Sequence, residues 1–270
     1  MDYWSIYCRN IGLFSREEQE RLRRAKVAIA GVGGVGGIEA ATLARFGIGG
    51  LSIMDPGVFD EPDLNRQFAA MESTLGENKA RATARLLRDI NPHLELDVLD
   101  HAPSDPGKLE AFMKGSHMVV DAIDYSGLDY KALFARTARK LGLPNVTAPI
   151  PGFGTLMVIF DPRGMTLEDF YEAPADPGEW PSFNIPLDRI LGERRYGELV
   201  GSYGSGDLPY LPTCSGAAAL NGGLVATEIA LILTGKRPWE DIVFAPRATY
   251  VDVLRRVFEV YDARSVKGEA

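Results

Sequence analysis

The sequence predicts an α/β fold: a doubly wound, mostly parallel sheet, with a long irregular insertion before a C-terminal helix and strands. From residue 26 to residue 160, short apolar strand segments alternate with helical segments, which is the rhythm of a parallel sheet. The glycine-rich turn GVGGVGG (31–37) joins the first strand to a helix. Acidic residues come at strand ends at Asp55 and Asp124, on the edge of the sheet where such folds bind ligands.

Periodicity and end signals place the individual elements. Ser15 and Glu18 form a capping-box pattern, which predicts a helix over about 16–24. A second helix is predicted over 77–90, where apolar residues have helical spacing. Asn91-Pro92 ends it. The core elements are predicted, in chain order, as a strand at 26–30, a helix at 38–47, a strand at 51–55, a helix at 77–90, a strand at 94–99, a short helix at 108–114, a strand at 118–124, a helix at 130–141, and strands at 144–148 and 155–160.

We predict a single domain with four parts: an N-terminal arm and helix (1–25), a nucleotide-binding core (26–160), a crossover insertion (161–212), and a C-terminal helix and strands (213–270). The insertion is rich in Pro, Gly and Tyr and shows weak periodicity. A structureless loop of that length is unusual in a compact domain, so it is either a cover over the site or a small subdomain.

The bulk composition is that of an ordinary soluble globular chain, with 270 residues, 46% hydrophobic and 24% charged. A net charge of −8 argues against non-specific binding to nucleic acid, and no nucleic-acid partner is favoured. The N-terminus lacks the layout of a signal peptide, and polar residues interrupt the longest apolar stretch. We therefore expect no membrane association and a cytoplasmic location.

The turn GVGGVG (31–36) fits the GxGxxG fingerprint and lies between a predicted strand and helix, as that fingerprint requires. Its free amides at the helix start favour a phosphate. The candidate cofactor-binding residues are therefore Gly31, Gly33, Gly34 and Gly36, together with Asp55, which would accept hydrogen bonds from a ribose. Asp55 could instead be a turn-forming acid, and the motif does not separate NAD from ATP.

Arg66 and Lys79 are the residues that favour a triphosphate. A dinucleotide site neutralises its pyrophosphate mainly with backbone amides, whereas breaking a triphosphate needs fixed cations aimed at the phosphate oxygens. Asn65 and Gln67 could donate neutral hydrogen bonds to the same oxygens. Each cation alone would be read as a solvated surface charge, but together, after this fingerprint, they predict a phosphate clamp.

Asp121 and Asp124 follow an otherwise apolar strand, and one of them could hold Mg²⁺, which prefers one or two carboxylates plus phosphates and waters. Alternation along a strand would place the two on opposite faces, so at most one is a ligand. Asp124 is preferred because it lies further into the strand end. The alternative for either is a cap on the following helix.

In order and spacing, several motifs resemble the ThiF/MoeB/HesA family, the bacterial relatives of ubiquitin-activating enzymes. The matching pieces are RNIG (9–12), VAIAGVGGVGG (27–37), GIGGLSIMDPGVFDEPDLNRQF (47–68), GENKA (76–80), INPHLEL (90–96) and VVDAID (119–124), with TCSGAAALNGGLVATEIALILTG (213–235) similar to the family's closing helix. Within the family the chain looks most similar to ThiF-like adenylation domains that occur alone or fused to nitroreductase-like domains.

The resemblance implies a Rossmann-like fold and an adenylyltransferase that uses ATP and Mg²⁺ to activate a carboxylate as an acyl-adenylate, releasing pyrophosphate. It implies a homodimer, in which Arg9 contributes to the partner's ATP site. By the same resemblance, Asp55 is the ribose acid, Asp124 holds Mg²⁺, and the phosphates are contacted by Arg66, Gln67 and Lys79. Asn65 lies where the family has a neighbouring polar residue. The acceptor is a small ubiquitin-like protein, a peptide or a small acid.

The sequence also departs from the family. Many members carry two CxxC pairs for a structural zinc, and the two cysteines here, Cys8 and Cys214, form no such pair, so no zinc is expected. Tyr125 stands where an asparagine often follows the Mg²⁺ aspartate. Cys214 sits at a predicted helix start, which would lower its thiol pKa and favour thioester or persulfide chemistry, but a small packing residue is the preferred interpretation. The rival functions are an NAD(P)-linked oxidoreductase and a non-catalytic relative that binds nucleotide without turnover.

Overall fold

The structure is a computed structural model that describes residues 1–125, 128–192, 195–208 and 210–264. The last part of the predicted C-terminal segment, residues 265–270, lies outside the described residues. The described α-helices are α1 (Tyr3–Ile6), α2 (Arg16–Arg24), α3 (Gly36–Phe46), α4 (Lys79–Ile90), α5 (Pro106–Met113), α6 (Asp129–Lys140), α7 (Leu167–Tyr171), α8 (Leu187–Leu191), α9 (Gly197–Gly204) and α10 (Ser215–Thr234).

The strands form one sheet in the order β3-β2-β1-β4-β5-β6-β7-β8. Their bounds are β1 (Lys26–Ala30), β2 (Gly50–Met54), β3 (Glu95–Leu99), β4 (Met118–Asp121), β5 (Asn145–Thr147), β6 (Gly154–Phe160), β7 (Arg247–Asp252) and β8 (Val257–Asp262). The first five strands in the sheet order pair in parallel, and the last three pair antiparallel. The strand order reverses between β1 and β4, so the crevice for a ligand lies at their carboxyl ends. The predicted α/β, mostly parallel and doubly wound fold is confirmed.

Helices cover both faces of the parallel part of the sheet. Along β1, Val27 and Ile29 point into a core shared with α3, α4 and α10. Ala28 and Ala30 point the opposite way, into a core shared with α5 and α6. This alternation follows from the two-residue period of a strand, and it explains why β1 is apolar at successive positions.

Several element ends differ from the prediction. The strand predicted over 118–124 ends at Asp121, so the alternation argument does not extend to Asp124. The helix predicted from residue 77 begins at Lys79, because Asn78 is its N-cap and accepts from the Arg81 amide. By contrast, the capping box of Ser15 and Glu18 is present, with both reciprocal hydrogen bonds.

The insertion contains helices that its sequence pattern does not predict. Its described residues contain three short helices, α7, α8 and α9, and a 3₁₀ turn at Pro177–Ser182. Their apolar side chains pack with β6, β7 and β8 in a separate core that includes Trp180 and Tyr250. None of these helices exceeds 8 residues, so each is too short for helical periodicity to accumulate in the sequence.

Among the described helices, α10 is long and apolar enough to cross a bilayer by length and composition, with a mean hydropathy of 1.6. In the structure it packs against α3, α2 and β6, and Val225, Ala226 and Ile229 belong to the main core. Its Asn221 is fully buried and donates to Ala148 O and Thr155 Oγ1. These contacts are those of a core helix.

Candidate active site

The glycine turn between β1 and α3 leaves no room for side chains at two of its positions. Gly31 has φ +89°, and a Cβ placed there would lie 2.4 Å from Ala122 O. A Cβ on Gly36 would lie 1.9 Å from Gly31 O. The first glycine therefore permits the tight turn and the last permits close approach of helix and strand, as the fingerprint requires.

Replacing Gly36 by alanine is expected to destabilise the protein by roughly 2–4 kcal/mol, because overpacking against a backbone carbonyl forces the turn to shift. Gly223→Ala is the matched control: its Cβ meets nothing within 4 Å in the interior of α10, so a gain of about 0.5–1 kcal/mol is expected. Urea unfolding of both variants measures the difference. Equal stability of the Gly36 variant and the wild type would contradict the geometry of the turn.

Asp55 follows β2 and ties it to the glycine turn. Its Oδ2 accepts from the Val32 amide at 2.9 Å, its Oδ1 accepts from the Gly57 amide at 2.8 Å, and the residue is buried. This is the turn-forming role that the sequence left open. An ionised carboxylate oxygen has a second acceptor site, so a ribose hydroxyl can still bind beside these amides.

Arg66 and Gln67 lie against the glycine turn, although they are about thirty residues further along the chain. A Cβ on Gly34 would lie 3.3 Å from Arg66 Nε, and one on Gly33 would lie 3.3 Å from Gln67 Oε1. Arg66 Nη1 also donates to Pro62 O and Asn65 Oδ1. The structure therefore brings the predicted clamp residues to the predicted phosphate loop.

Lys79 reaches the same place from the start of α4. Its amide donates to Gly57 O at 2.9 Å, and the side chain of the N-cap Asn78 donates to Asp55 O at 2.9 Å. These bonds fasten the start of α4 to the loop that follows β2. The Lys79 ammonium then points to Asp63, with Nζ 2.9 Å from Oδ2.

Asp63 is the residue on which the clamp converges, and it is not among the residues predicted from the sequence. Besides Lys79, it accepts from Gln67 Nε2, and its Oδ1 lies 4.0 Å from Arg66 Nη2. Asp63 is buried, so its charge holds these donors in place more strongly than a solvated carboxylate could. Its spacing to Asp60, with which it forms a capping box, was the available signal.

Asn65 links the clamp to the start of α10. Its Nδ2 donates to Thr213 O at 3.1 Å, next to Cys214. Cys214 is the N-cap of α10, as predicted, and is partly exposed, with Sγ 3.8 Å from Gly152 O. The amide of Asn65 is thus engaged with the protein chain, and Cys214 lies beside the clamp.

The two acids after β4 have different environments. Asp121 is fully buried and paired with the fully buried Lys131, Nζ to Oδ1 at 2.8 Å. Asp124 is exposed on the loop beyond the strand. Asp124 is therefore the one available to a ligand, as preferred from the sequence, although the reason is the burial of Asp121 rather than strand alternation.

The Asp124 carboxylate could serve as one ligand of a Mg²⁺ ion whose other ligands are nucleotide phosphates and waters. The described residues contain no cluster of three or more His, Cys, Asp or Glu side chains that could hold a metal without help. A single carboxylate suits Mg²⁺, which is commonly bound through one or two carboxylates, substrate phosphates and waters.

Glu39 has a buried carboxyl group and is not among the residues predicted from the sequence. It lies in the first turn of α3, is 1% exposed, and neither carboxyl oxygen has a hydrogen-bond partner among the described residues. Burial, and then the nearby charge of Asp121, raise the pKa of Glu39 to about 8. The site thus contains a carboxyl that is mostly protonated at pH 7.

Glu39→Gln is expected to gain stability over the wild type as the pH rises. A carboxyl with a raised folded pKa binds a proton more tightly in the folded state, so its contribution is complete below the unfolded pKa of 4.5 and is lost as pH rises through about 8. The difference between variant and wild type should grow by on the order of 3 kcal/mol from pH 5 to pH 9. Denaturant unfolding across this range measures it, with exposed Glu72→Gln as control; a constant difference would contradict a buried, neutral Glu39.

Arg9 lies at the far end of α3 from the glycine turn. The turn at Cys8–Asn10 is fixed by Tyr7 Oη donating to Ala44 O and Asn10 Nδ2 donating to Phe46 O. The 11 residues of α3 span ~16 Å, so Arg9 is separated from its own phosphate loop by the length of that helix. Within the described part of the chain Arg9 forms no hydrogen bond or ion pair.

A cavity of about 430 Å³ lies elsewhere, between α6 and residues 160–169. Arg136, Arg139 and Asn145 are among its lining residues. Asn145 begins β5, which runs parallel to β4, so the cavity is at the amino-terminal edge of the sheet. None of the predicted site residues lines it, and the clamp is the better candidate because the chemistry converges there.

The fold is shared with the solved structures of E. coli MccB. E. coli MccB solved with ATP superposes with a TM-score of 0.71 at 16% identity, covering 96% of this chain and 70% of that one. The same protein solved with MccA-N7isoASN gives a TM-score of 0.68 at 17% identity, covering 92% and 67%. At this level of identity the likeness shows the fold.

Sequence relatives match about three fifths of the chain. The tRNA threonylcarbamoyladenosine dehydratase of Bacillus subtilis is 30% identical over 171 residues, 63% of this chain and 65% of that protein. The SAMP-activating enzyme E1 of Haloferax volcanii is 29% identical over 165 residues, 61% and 60%. The chain thus spans less than two thirds of the length of either relative.

The family model that matches the chain is the ThiF family, over residues 7–266. That range includes the glycine turn, the clamp, the insertion and the C-terminal strands, and it agrees with the resemblance carried by the sequence motifs. The chain belongs to the ThiF family.

Proposed function

We propose that the protein is an ATP-dependent adenylyltransferase that activates a carboxylate as an acyl-adenylate and releases pyrophosphate. The observation that carries the proposal is the convergence of Arg66, Gln67 and Lys79 on Asp63, beside the glycine turn. A triphosphate placed on the free amides of that turn would meet two cations. A dinucleotide site has no comparable need for them.

The proposed reaction has the acceptor carboxylate attack the α-phosphate, with pyrophosphate as the leaving group. Negative charge accumulates on the departing phosphates, and Arg66 and Lys79 stabilise it there. Because Asp63 already holds Lys79 and lies close to Arg66, little reorganisation is needed when the charge develops. When bound at Asp124, Mg²⁺ would supply further positive charge to the phosphate oxygens.

The acceptor is proposed to be a polypeptide carboxylate, from a small ubiquitin-like protein or a peptide. Support comes from the relatives, since one is a SAMP-activating E1 and the fold is shared with MccB in complex with MccA-N7isoASN. A small carboxylic acid remains the alternative acceptor. Asn65 bonds to Thr213, and Cys214 is next in sequence, so an acyl group held at the clamp would lie near the start of α10.

A tRNA substrate is less well supported, although a B. subtilis relative is a tRNA-modifying dehydratase by name. The net charge of −8 opposes the phosphate contacts that dominate RNA affinity. The NAD(P)-linked oxidoreductase alternative gains no support, because Arg66 and Lys79 have no role in it.

We propose a homodimer in which Arg9 serves the partner's ATP site. The position of Arg9 at the far end of α3, exposed and without a partner among the described residues, supports this because the side chain cannot serve its own phosphate loop. We also propose a cytoplasmic location, which suits the free thiols of Cys8 and Cys214.

Exchange of labelled pyrophosphate into ATP tests the proposed function. Exchange is expected only with Mg²⁺ and an acceptor carboxylate, and the acceptors to compare are peptides ending in Gly-Gly, their C-terminal amides and a small acid. Amidated peptides are the matched control because they lack the nucleophile. If calorimetry shows ATP binding and no acceptor supports exchange, the non-catalytic alternative is favoured; binding of NAD(P) in preference to ATP would refute the proposal.

A further inference from the structure

The loop at residues 122–125 connects β4 to the segment before α6 and carries Asp124. It touches the glycine turn directly: the Ala122 amide donates to Ala30 O at 2.9 Å, and Ala122 O is the atom that a Cβ on Gly31 would strike. The position of this loop therefore sets both the direction of Asp124 and the shape of the turn.

Lys131 contacts this loop from its buried side. It lies in α6, is fully buried, and donates from Nζ to Ile123 O at 2.9 Å and to Asp121 Oδ1 at 2.8 Å. Its ammonium also lies 4.3 Å from the centroid of the Tyr125 ring. The ammonium thus contacts three groups, and two of them belong to the residues on either side of Asp124.

Tyr125 is fixed at its other end as well. Its hydroxyl is 2.8 Å from Thr147 Oγ1 on β5. Asp121 receives the Ile123 amide at 3.2 Å. Ile123 and Tyr125 are therefore both fastened to buried groups, whereas Asp124 between them is exposed and forms no hydrogen bond or ion pair within the described ranges.

A buried ion pair such as Asp121–Lys131 needs a reason other than stability. Removing two charges from water costs about as much as their attraction returns, and apolar replacements of such pairs are often neutral or stabilising. A buried charge pair can instead specify one conformation, and here Lys131 donates to the backbone of the loop at 122–125 and lies over the Tyr125 ring.

We propose that Lys131, paired with Asp121, is a positioning residue that holds the loop at 122–125 so that Asp124 faces the metal and phosphates of the nucleotide. The inference rests on the proposed function for the role of Asp124. The holding of the loop itself rests on the contacts of Lys131 alone.

The test uses the double variant Asp121→Asn with Lys131→Met, which removes both buried charges together and avoids leaving one of them unpaired. Amide hydrogen exchange of the peptide covering 122–125 is measured without nucleotide. Exchange in the double variant is expected to be at least roughly tenfold faster there, while β1 and α4 are unchanged. Lys140→Met, which removes an exposed lysine of α6 paired with Glu110, is the control and should change nothing at 122–125.

The functional arm measures ATP affinity by calorimetry with and without Mg²⁺. The double variant is expected to bind ATP without Mg²⁺ within about twofold of wild type, because the clamp is intact, and to lose roughly tenfold in the gain that Mg²⁺ provides. A merely structural role would weaken both measurements equally. If amide hydrogen exchange at 122–125 were as slow in the double variant as in the wild type, the inference would be overturned. If the wild type failed to bind ATP, the proposed function would be refuted, but the hydrogen-exchange result would still hold.

Discussion

Arg66→Ala is expected to slow ATP–pyrophosphate exchange by roughly 10²–10³-fold, the usual effect of removing one preorganised donor from a developing negative charge. The guanidinium lies beside Gly34 and within 4.0 Å of Asp63, where a triphosphate on the glycine turn would need it. The fold should survive, because the hydrogen bonds that the side chain makes, to Pro62 O and Asn65 Oδ1, are on the surface.

The control for this variant separates the general loss of one positive charge from the loss of a phosphate-contacting side chain. Arg85→Ala removes a guanidinium from α4 that pairs with Glu77 at the surface, and its exchange rate should stay within about twofold of wild type. Circular dichroism and thermal unfolding confirm that both variants fold. Exchange by the Arg66 variant at a near-normal rate would remove the main support for a triphosphate clamp.

Mixed dimers of Arg9→Ala and Arg66→Ala chains are expected to recover activity that neither variant has alone. If Arg9 acts across the dimer, one of the two sites in a mixed dimer has its own Arg66 and an intact Arg9 from the partner. Tandem purification with two different tags isolates the mixed species, which should have roughly half of the wild-type exchange rate because a twofold dimer has two equivalent sites.

The reciprocal pairing is the control for that experiment. A dimer of one wild-type chain and one Arg9→Ala, Arg66→Ala chain has the same mutations in a different arrangement. With Arg9 acting in trans, both of its sites lack one arginine and it should be nearly inactive. If Arg9 acted within its own chain, the two results would be exchanged, and failure to recover any doubly tagged species would contradict the homodimer.

The ends of the elements show where sequence reasoning works well. The helix at Arg16–Arg24 was predicted with its capping box, and the start of α10 was predicted at Cys214, because both signals are local. The strand predicted to reach residue 124 ends at Asp121 instead. The residues after it are held by Lys131 from α6, and an apolar pattern does not report a contact made from another element.

The insertion at 161–212 shows a different limit. Its helices are short, so their apolar residues do not repeat often enough to establish a period. What organises them is burial against β6, β7 and β8, with Trp180 and Tyr250 in the shared core. The structure of such a segment is determined by the elements it packs against and not by a periodic pattern in its own sequence.

The sequence by itself determined the α/β fold, the glycine turn and the family, since strand and helix periods, turn glycines and motif order are properties of neighbouring residues. Only the tertiary structure decided which charges meet: Asp63 at the centre of the clamp, Asp121 with Lys131 beneath the loop of Asp124, and Glu39 as a buried, neutral carboxyl. The physical reason is that electrostatic energies depend on distance and burial, and folding sets both between residues far apart in the chain.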